Sequence, residues 1–381
     1  MTELSLTWLL LLPALGFAVG WLASRLDLRQ IRREERDAPR AYYKGLNLLL
    51  NEQQDKAIDA FIEAVQNDPD TTELHFALGN LFRRRGEFER AVRVHQHLLS
   101  RADLSAGDRD RAQHALAQDF FKAGLFDRAE AAYRALEGTP FSTEARRALL
   151  DLYERSHEWP QAHEIATKLE SGGAGSYAVR ISHHLCEQAL AMMPTDVARE
   201  LLQQARLRAP QAARPVVMLG QWHALRGEGP EAVHTWSALL NLPQQPVALV
   251  AEEVVRLCAS SGDPGLREQG LDLLHAGYAA EASLVVLQGL NALDPAAAAS
   301  RLQAHLARQP SLSAAAALLR LPAEQWQAQG WSPVERALEH SAQPLQRYRC
   351  AACGFEAQRY FWQCPGCLSW DSYPPQRIEE L

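Results

Sequence analysis

The sequence predicts an all-α protein: a superhelical solenoid of stacked helix pairs, with a transmembrane helix before it and a small metal-binding module after it. Three observations lead to this prediction. Alanine and leucine are abundant and β-branched residues are sparse, which favours helices over strands. A pattern of small and bulky residues recurs along the chain, and the two ends carry an uncharged apolar stretch and four paired cysteines. The net charge of -7 argues against a nucleic-acid partner.

Residues 1–24 are predicted to form the transmembrane anchor. The stretch LSLTWLLLLPALGFAVGWLA, residues 4–23, carries no charged residue. As a helix with a rise of ~1.5 Å per residue it would extend over ~30 Å, the thickness of the hydrocarbon core of a bilayer. A cleaved signal peptide is the alternative, but no basic residue precedes the stretch and no small-residue cleavage site follows it. We therefore expect an uncleaved, single-pass anchor.

The segment 25–37 is basic and predicts how the anchor is oriented. Five arginines follow the apolar stretch, whereas nothing basic precedes it: Arg25, Arg29, Arg32, Arg33 and Arg36. Basic residues next to a span remain on the cytoplasmic side. We expect a periplasmic N-terminus and a body that faces the cytoplasm, where thiols are kept reduced.

Residues 38–343 are predicted to form a repeat array. The segments that begin at Gly45 and Gly79 resemble each other, which sets the repeat length at 34 positions. The small residues that recur are Ala57, Ala91, Ala129, Ala162, Ala198, Ala232 and Ala298; bulky residues follow four positions later at Phe61, Tyr133, Leu202, Trp236 and Leu302; and prolines close units at Pro69, Pro210 and Pro310. Small positions let paired helices approach each other, and bulky positions fill the next groove.

This pattern resembles the tetratricopeptide repeat and implies about eight or nine helix pairs. It departs from that repeat at His95, which occupies the position of the aromatic residue, and residues 244–275 fit it poorly. Such arrays bind partners in a groove lined by the first helix of each pair. The groove candidates in the second and third units are Asn80, Arg83, Arg84, Gln118, Phe121 and Lys122. The alternative is a solvated helix face.

The terminal segment 344–381 is predicted to bind one metal ion. Cys350, Cys353, Cys364 and Cys367 form two Cys-x-x-Cys pairs, and four thiolates give a tetrahedral site that suits zinc or iron. We expect the segment between the two pairs, which contains Tyr360, Phe361 and Trp362, to form a β-hairpin over the metal. We expect Tyr348, Trp362, Trp370 and Tyr373 to pack the module onto the last repeats. So small a module takes much of its folding free energy from the metal.

The remaining cysteines and histidines are predicted to have structural roles. Cys186 and Cys258 lie in helical segments and are expected to be buried as small apolar residues. The pair His183 and His184 is adjacent in sequence rather than spaced i, i+4, so we expect surface or packing residues instead of metal ligands. The sequence shows no catalytic set, and no enzymatic activity is expected.

Taken together, the stretches ASRLDLRQ, YYKGLNLLLNEQQDKAIDAFIEAV and YRCAACGF with YFWQCPGC resemble the lipopolysaccharide assembly protein B family, LapB or YciM. The resemblance implies a rubredoxin-like terminal module with the four cysteines as ligands. It implies a bacterial inner-membrane adaptor that promotes degradation of the deacetylase LpxC by the protease FtsH. A PbgA/YejM-type membrane sensor and other lipopolysaccharide assembly proteins are the further partners that it implies.

Two other functions remain open at this point. A passive scaffold would gather lipopolysaccharide-synthesis enzymes at the inner membrane without changing the lifetime of any of them. A membrane-tethered electron carrier would use an iron-tetrathiolate centre. Whether the chain forms a homodimer is also open.

Overall fold

The computed structural model describes residues 53–67, 71–309, 311–322 and 342–381, and single positions 21, 44, 45, 47, 48, 51 and 338. The predicted anchor, apart from Trp21, and the basic segment 25–37 lie outside these residues, as do Pro69 and Pro310. In the part of the chain so described, no helix combines the length and the apolar character needed to cross a bilayer. The predicted limits of the anchor, basic segment, array and module remain predictions.

Helices dominate the described residues, which confirms the all-α prediction. They are α1 (Gln54–Asn67), α2 (Thr72–Arg85), α3 (Phe88–Ser100), α4 (Ala106–Lys122), α5 (Phe126–Arg134), α6 (Ser142–Arg155), α7 (Trp159–Ser171), α8 (Ala178–Leu190), α9 (Asp196–Arg208), α10 (Ala213–Leu225), α11 (Gly229–Ser237), α12 (Ala251–Ser261), α13 (Pro264–Ala280), α14 (Leu284–Leu293), α15 (Ala298–Arg308) and α16 (Leu312–Leu319). Two short strands, β1 (Tyr348–Arg349) and β2 (Glu356–Ala357), lie in the terminal module.

The chain divides into two compact units between Ser156 and His157. In the first, α2 packs against α3 and α4 against α5; in the second, α8 packs against α9 and α10 against α11. Short left-handed turns join several pairs, for example at Gly86, where φ is 83°. Glycine adopts this conformation without a steric cost from a side chain. The helix pairs confirm the tetratricopeptide-repeat prediction.

The repeat register predicted from the sequence matches the burial. The recurring alanines and bulky residues are all buried: Ala57, Ala91, Ala129, Ala162, Ala198, Ala232 and Ala298, with Phe61, Tyr133, Leu202, Trp236 and Leu302. Five of these seven small positions are therefore paired in the core with a bulky residue four positions later. Cys186 and Cys258 are buried too, as expected.

Glycines let the two helices of a pair approach each other. A Cβ added at Gly220 would lie 2.1 Å from Nε1 of Trp236, and one at Gly79 would lie 2.5 Å from Nε2 of His95. Trp236 is fully buried, and its Nε1 donates to the carbonyl of Val217 at 3.0 Å. His95 therefore fills the volume that an aromatic residue takes in the other pair, which explains the departure from the repeat pattern.

The poor fit predicted for residues 244–275 also has a structural counterpart. Two short 3-10 helices, Ala238–Asn241 and Val247–Leu249, separate α11 from α12. Gln244 and Gln245 adopt positive φ values of 64° and 41°, a conformation that non-glycine residues adopt at a cost. Val247 from this insertion is buried in the main core cluster of the second unit.

Candidate metal centre and its contacts with the repeats

The first Cys-x-x-Cys turn sits at the end of a two-stranded ribbon. Strands β1 and β2 pair antiparallel, with Tyr348 opposite Ala357. The amide of Cys350 donates to the carbonyl of Phe355 at 3.0 Å, and the amide of Gly354 donates to the carbonyl of Cys350 at 2.8 Å. Gly354 has a φ of 77°, so the glycine is needed for the chain to reverse directly after the second thiol.

The second turn repeats this arrangement without a glycine after it. The amide of Leu368 donates to the carbonyl of Cys364 at 2.8 Å, and the amide of Cys364 donates to the carbonyl of Ser369 at 2.9 Å. Leu368 takes the left-handed position with a φ of 61°. In the segment between the two cysteine pairs, which was expected to form a β-hairpin over the metal, Glu356 and Ala357 form a strand that pairs with β1, and residues 360–362 form none.

The two turns bring all four thiols to one point. The sulfurs of Cys350 and Cys367 are 3.8 Å apart, those of Cys353 and Cys364 are 3.6 Å apart, and all four lie within 4.8 Å of one another. A tetrahedron of thiolates about 2.3 Å from a metal has edges of about 3.8 Å. The chain therefore forms a four-cysteine metal site of rubredoxin-like type, and zinc or iron fits this donor set.

Hydroxyl groups beside two of the four thiols, those of Cys350 and Cys367, favour their ionised form. The Oγ of Ser372 lies 3.2 Å from the sulfur of Cys350, and the Oγ of Ser369 lies 3.4 Å from that of Cys367. Burial raises the pKa of Cys350, but the Ser372 hydroxyl and nearby backbone amides outweigh burial and lower that pKa to about 6. The Ser369 hydroxyl is the main cause that lowers the pKa of Cys367. Thiolates are the form that binds metal.

The module has a small core of its own. Cys350, Cys364 and Tyr373 are buried together, with Tyr348 and Tyr360 against them. Tyr360 and Tyr348 meet edge to face, with ring centroids 5.6 Å apart. Of the aromatic residues expected to dock the module, Tyr348 and Tyr373 pack inside it.

Trp362 and Trp370 instead face the repeats. Trp370 stacks on His183 of α8, with ring centroids 4.2 Å apart and planes 14° apart. Trp362 packs against the main core cluster of the second unit. The guanidinium of Arg214, in α10, lies 5.7 Å from the centroid of Trp362 and 6.0 Å from that of Trp370. An arginine over aromatic rings is attracted by their negative faces.

A hydrogen bond joins this aromatic contact to the module backbone. Nε2 of the fully buried His183 lies 2.8 Å from Oδ2 of Asp371. Asp371 has a φ of 51°, a conformation that aspartate tolerates better than most residues. Burial lowers the pKa of His183, with Arg214 and His184 in the same direction and Asp371 opposed. The imidazole therefore remains neutral near pH 7 and donates its one Nε2 proton to the carboxylate.

The last residues cap two further repeat helices. Oε1 of Glu380 accepts from the amide of Leu284 at 2.6 Å, and Oε2 of Glu379 accepts from the amide of Ser313 at 3.2 Å. Leu284 begins α14, and Ser313 lies in the first turn of α16. Carboxylates at helix N-termini satisfy amides that have no partner within the helix. The module thus contacts helices far apart in sequence, not only the last repeats as expected.

Comparison with known proteins agrees with this arrangement. A family model described as "Rubredoxin metal binding domain" matches residues 348–374. Lipopolysaccharide assembly protein B of Escherichia coli is 33% identical over 382 residues, which cover 97% of each chain. The chain belongs to the lipopolysaccharide assembly protein B family.

A second relative extends this finding. Lipopolysaccharide assembly protein B of Haemophilus influenzae is 28% identical over 396 residues, covering 97% of this chain and 98% of the relative. Among solved structures, a tetratricopeptide repeat protein from Parabacteroides merdae is 15% identical with a TM-score of 0.35, covering 67% of this chain and 98% of that chain.

The six candidate groove residues of this LapB family member have different environments. Arg84 and Lys122 are exposed, and Phe121 is half-buried with the guanidinium of Arg155 5.6 Å from its centroid. The side chain of Gln118 lies 3.4 Å from Nε2 of His114. Partner binding by these residues remains a prediction.

Asn80 and Arg83 are instead engaged inside the first unit. Nη1 of Arg83 donates to Oδ1 of the buried Asp119 at 2.8 Å, and Nη2 donates to Oδ1 of Asn80 at 2.6 Å. The other carboxylate oxygen of Asp119 lies 2.5 Å from Nδ1 of His95. A buried charge needs such partners. Arg83 therefore stabilises the packing of α2 on α4 and is a poor choice for a groove mutation.

The sequence did not reveal the residues that hold the module to the repeats in this family member: His183, Arg214, Asp371, Glu379 and Glu380. The pair His183 and His184 was expected at the surface or in packing, and the structure shows both fully buried. The sequence did carry one signal: charged and imidazole side chains occupy positions of the repeat core. Such buried polar groups need a hydrogen-bond partner.

Proposed function

We propose that the chain is an adaptor in lipopolysaccharide assembly. Support comes from relatives that are named for lipopolysaccharide assembly and that match over 97% of the chain. An array of helix pairs supplies a broad surface for protein partners. Among the described residues, the group of metal-ligating side chains that converges is the four-cysteine cluster, and a metal with four protein ligands keeps no open position for a substrate. We infer a binding function rather than an enzymatic one.

In more detail, the adaptor presents the deacetylase LpxC to the membrane protease FtsH. In this proposal residues 1–24 hold the chain in the bacterial inner membrane, with the N-terminus in the periplasm and the repeats in the cytoplasm. Confinement to the membrane raises the effective concentration of a bound client near a membrane protease. A PbgA/YejM-type sensor would restrain the adaptor through the anchor.

In this proposal the metal has a structural role. Two ligands, Cys350 and Cys364, belong to the core of the module, and Trp370 and Asp371, which contact the repeats, follow the second cysteine pair directly. A bound ion would fix both turns and so hold Trp370 and Asp371 in place. We propose that the metal is zinc, because a closed four-cysteine site with a purely structural role does not require a metal that changes its oxidation state. Elemental analysis of the purified protein checks this, and stoichiometric iron would contradict it.

The adaptor proposal is tested by reconstitution. FtsH and the full-length chain are placed together in proteoliposomes, LpxC is added with ATP, and its rate of loss is measured. The proposal predicts faster loss of LpxC when the chain is present, while the rate for casein stays unchanged. Equal rates for LpxC with and without the chain would contradict it.

The same assay tests the predicted groove. Charge reversal at Arg84 and Lys122 together should slow the loss of LpxC, because both side chains are exposed in the first unit. Arg206→Glu, at an exposed position of α9, is the matched control. An equal effect of the control would show that general charge, and not the groove, is responsible.

A further inference from the structure

A small pocket lies where the terminal module meets the repeats of the second unit. It has a volume of about 190 Å³. That is larger than the ~30 Å³ taken by one water molecule and smaller than the ~300–1,000 Å³ of pockets for drug-sized ligands, so there is room for one side chain. The lining that we call the module pocket includes Gln211, Gln244, Tyr360, Trp362, Asp371 and Tyr373.

The segment that departs from the repeat pattern forms one wall of the module pocket. Pro246 and Leu249 line this wall from the loop and the 3-10 helix between α11 and α12. Gln244 on the same wall has a φ of 64°, and Asp371 on the module side has a φ of 51°. Non-glycine residues hold this conformation at an energetic cost, and such residues cluster at ligand-binding sites. Strained backbone on both sides is therefore consistent with a binding role.

The module side of the pocket is aromatic. The rings of Tyr360 and Trp362 have centroids 5.1 Å apart and planes 80° apart, and those of Tyr360 and Tyr373 have centroids 6.2 Å apart and planes 59° apart. Rings that meet at steep angles can enclose a group from different sides. The faces of aromatic rings carry partial negative charge and attract cations, which is how quaternary and alkylated ammonium groups are recognised.

The charge of the lining also favours a cation. Asp371 carries the charge there, and among the described residues that line the pocket none is basic. Its carboxylate accepts from the neutral imidazole of His183 and so remains charged. The guanidinium of Arg214 lies 5.7 Å from the centroid of Trp362 but does not line the pocket, and it is paired with Glu187 at 2.8 Å. These three charged side chains together leave one net negative charge beside the rings.

The open side of the pocket offers amide groups. Gln211 and Gln244 are exposed, whereas the lining residues Tyr373 and Pro375 are buried. A side-chain amide can both donate and accept, so the two glutamines can hydrogen-bond peptide groups on either side of an inserted side chain. The exposed glutamines therefore favour a side chain of a polypeptide over a free small molecule.

We propose that the module pocket binds a lysine side chain of a protein partner, with the ammonium group between the aromatic rings and the carboxylate of Asp371. Lysine fits better than arginine, because His183 already occupies Oδ2 of Asp371 and a guanidinium binds best to both oxygens of a carboxylate. The alkyl stem of the lysine packs against Pro246 and Leu249.

Binding at this pocket couples a partner to the position of the module. The walls come from both the repeats and the module, so a bound lysine contacts both and stabilises their docked arrangement. The pocket is separate from the groove candidates of the first unit, and the proposal does not rest on the adaptor function.

The test uses the full-length, metal-loaded chain in nanodiscs of zwitterionic lipid, with empty nanodiscs as the reference. The probes are acetyl-glycyl-lysyl-glycinamide, the same tripeptide with norleucine in place of lysine, and butylammonium. Affinity is measured by ligand-detected NMR.

Two variants change the pocket in different ways. Asp371→Asn removes the charge but keeps an acceptor for His183, and Gln244→Lys places an ammonium group of the chain itself at the open side. Asp272→Asn and Gln269→Lys are the matched controls, because both residues are exposed on α13 and do not line the pocket.

The lysine tripeptide should bind the wild type on the order of tenfold more tightly than the norleucine tripeptide, because a hydrogen bond to a charged group is lost in the latter. It should also bind more tightly than butylammonium, which lacks peptide groups. Asp371→Asn should raise the Kd of the lysine tripeptide on the order of tenfold, and Gln244→Lys should block its binding. Both controls should leave the Kd unchanged.

Hydrogen–deuterium exchange locates the effect. Exchange in residues 342–381 of the wild type should slow when the lysine tripeptide binds. The same measurement without a probe checks that the module of each variant remains docked. If Asp371→Asn releases the module, Gln244→Lys decides the question, because that substitution leaves the contact between His183 and Asp371 in place.

Three results would overturn the proposal. One is equal affinity of the wild type for the lysine and norleucine tripeptides. Another is a Kd for the lysine tripeptide that Gln244→Lys leaves unchanged, or that the controls raise as much as the pocket variants do. If butylammonium binds as tightly as the lysine tripeptide and with the same dependence on Asp371, the occupant is a free amine instead of a lysine of a partner.

Discussion

His183 and Asp371 are 188 positions apart in sequence, yet Nε2 of the histidine lies 2.8 Å from the carboxylate of the aspartate. The imidazole is fully buried in α8, whereas the aspartate side chain is 38% exposed. The terminal module is therefore held against the middle of the chain by a polar contact, in addition to the aromatic contacts around it. This contact connects the metal centre to the repeat helices.

Loss of the carboxylate should loosen the module. Asp371→Ala leaves the buried Nε2 of His183 without an acceptor, which costs about 1–3 kcal/mol. We expect a lower thermal midpoint and faster hydrogen–deuterium exchange in residues 342–381. Asp371→Asn is the matched control, because asparagine tolerates the φ of 51° and its amide oxygen can still accept. Equal exchange in the alanine variant and the wild type would show that the aromatic contacts suffice.

The stability of the second unit should depend on His183 as the pH falls. Burial is the main cause that lowers the pKa of this histidine below its usual 6.5. The unfolded chain therefore binds the proton more readily, so the stability contribution is complete above about pH 6.5 and is lost as the pH falls below it.

This pH dependence is measured by calorimetry at about pH 7.5 and about pH 5.5. His183→Gln should show a smaller drop in thermal midpoint over that interval than the wild type. The metal ligands are the same in both proteins, so loss of metal in acid affects both. An identical drop in the two proteins would contradict the assignment to His183.

Removal of two ligands should unfold the module but leave the repeats intact. Cys364→Ser with Cys367→Ser leaves two thiols, too few for a structural zinc site, and zinc supplies about 10–16 kcal/mol to small zinc domains. We expect loss of bound metal and rapid proteolysis within residues 342–381. Cys258→Ala, at a buried cysteine away from the cluster, should keep the metal. Protease resistance of the double variant equal to that of the wild type would contradict this account.

Close approach of the paired helices should make Gly220 intolerant of a methyl group. The added Cβ would lie 2.1 Å from Nε1 of Trp236, and overpacking of this kind costs about 1–3 kcal/mol or more. Gly107→Ala in α4 is the control, because nothing lies within 4 Å of its Cβ position and alanine favours helix. Calorimetry should show a clear loss for the first variant and none for the second. Comparable midpoints would mean that Trp236 can move aside.

The repeat architecture was predictable because its determinants are local. Small residues such as Ala57 and Ala232, with bulky ones four positions later, specify how the helices of a pair pack, and all are buried as expected. The metal site was equally predictable, because each Cys-x-x-Cys turn brings two thiols together within four residues.

Long-range polar contacts were not predictable in the same way. Arg83 was assigned to a groove from its repeat position, but its partner Asp119 lies 36 positions later, in the next repeat of the same unit. That spacing is close to the length of one repeat. An acidic residue at a core position of the following repeat could therefore have indicated the partner of Arg83. No comparable regularity links His183 to Asp371, because the terminal module lies outside the repeat period.

The proposed adaptor function is tested most directly by the lifetime of LpxC in cells. Its half-life is measured after depletion of this protein and after restoration of either the wild type or the Cys364→Ser, Cys367→Ser variant. The account predicts that depletion lengthens the half-life and that the wild type alone shortens it again. An unchanged half-life on depletion would contradict the adaptor function and would favour a passive scaffold.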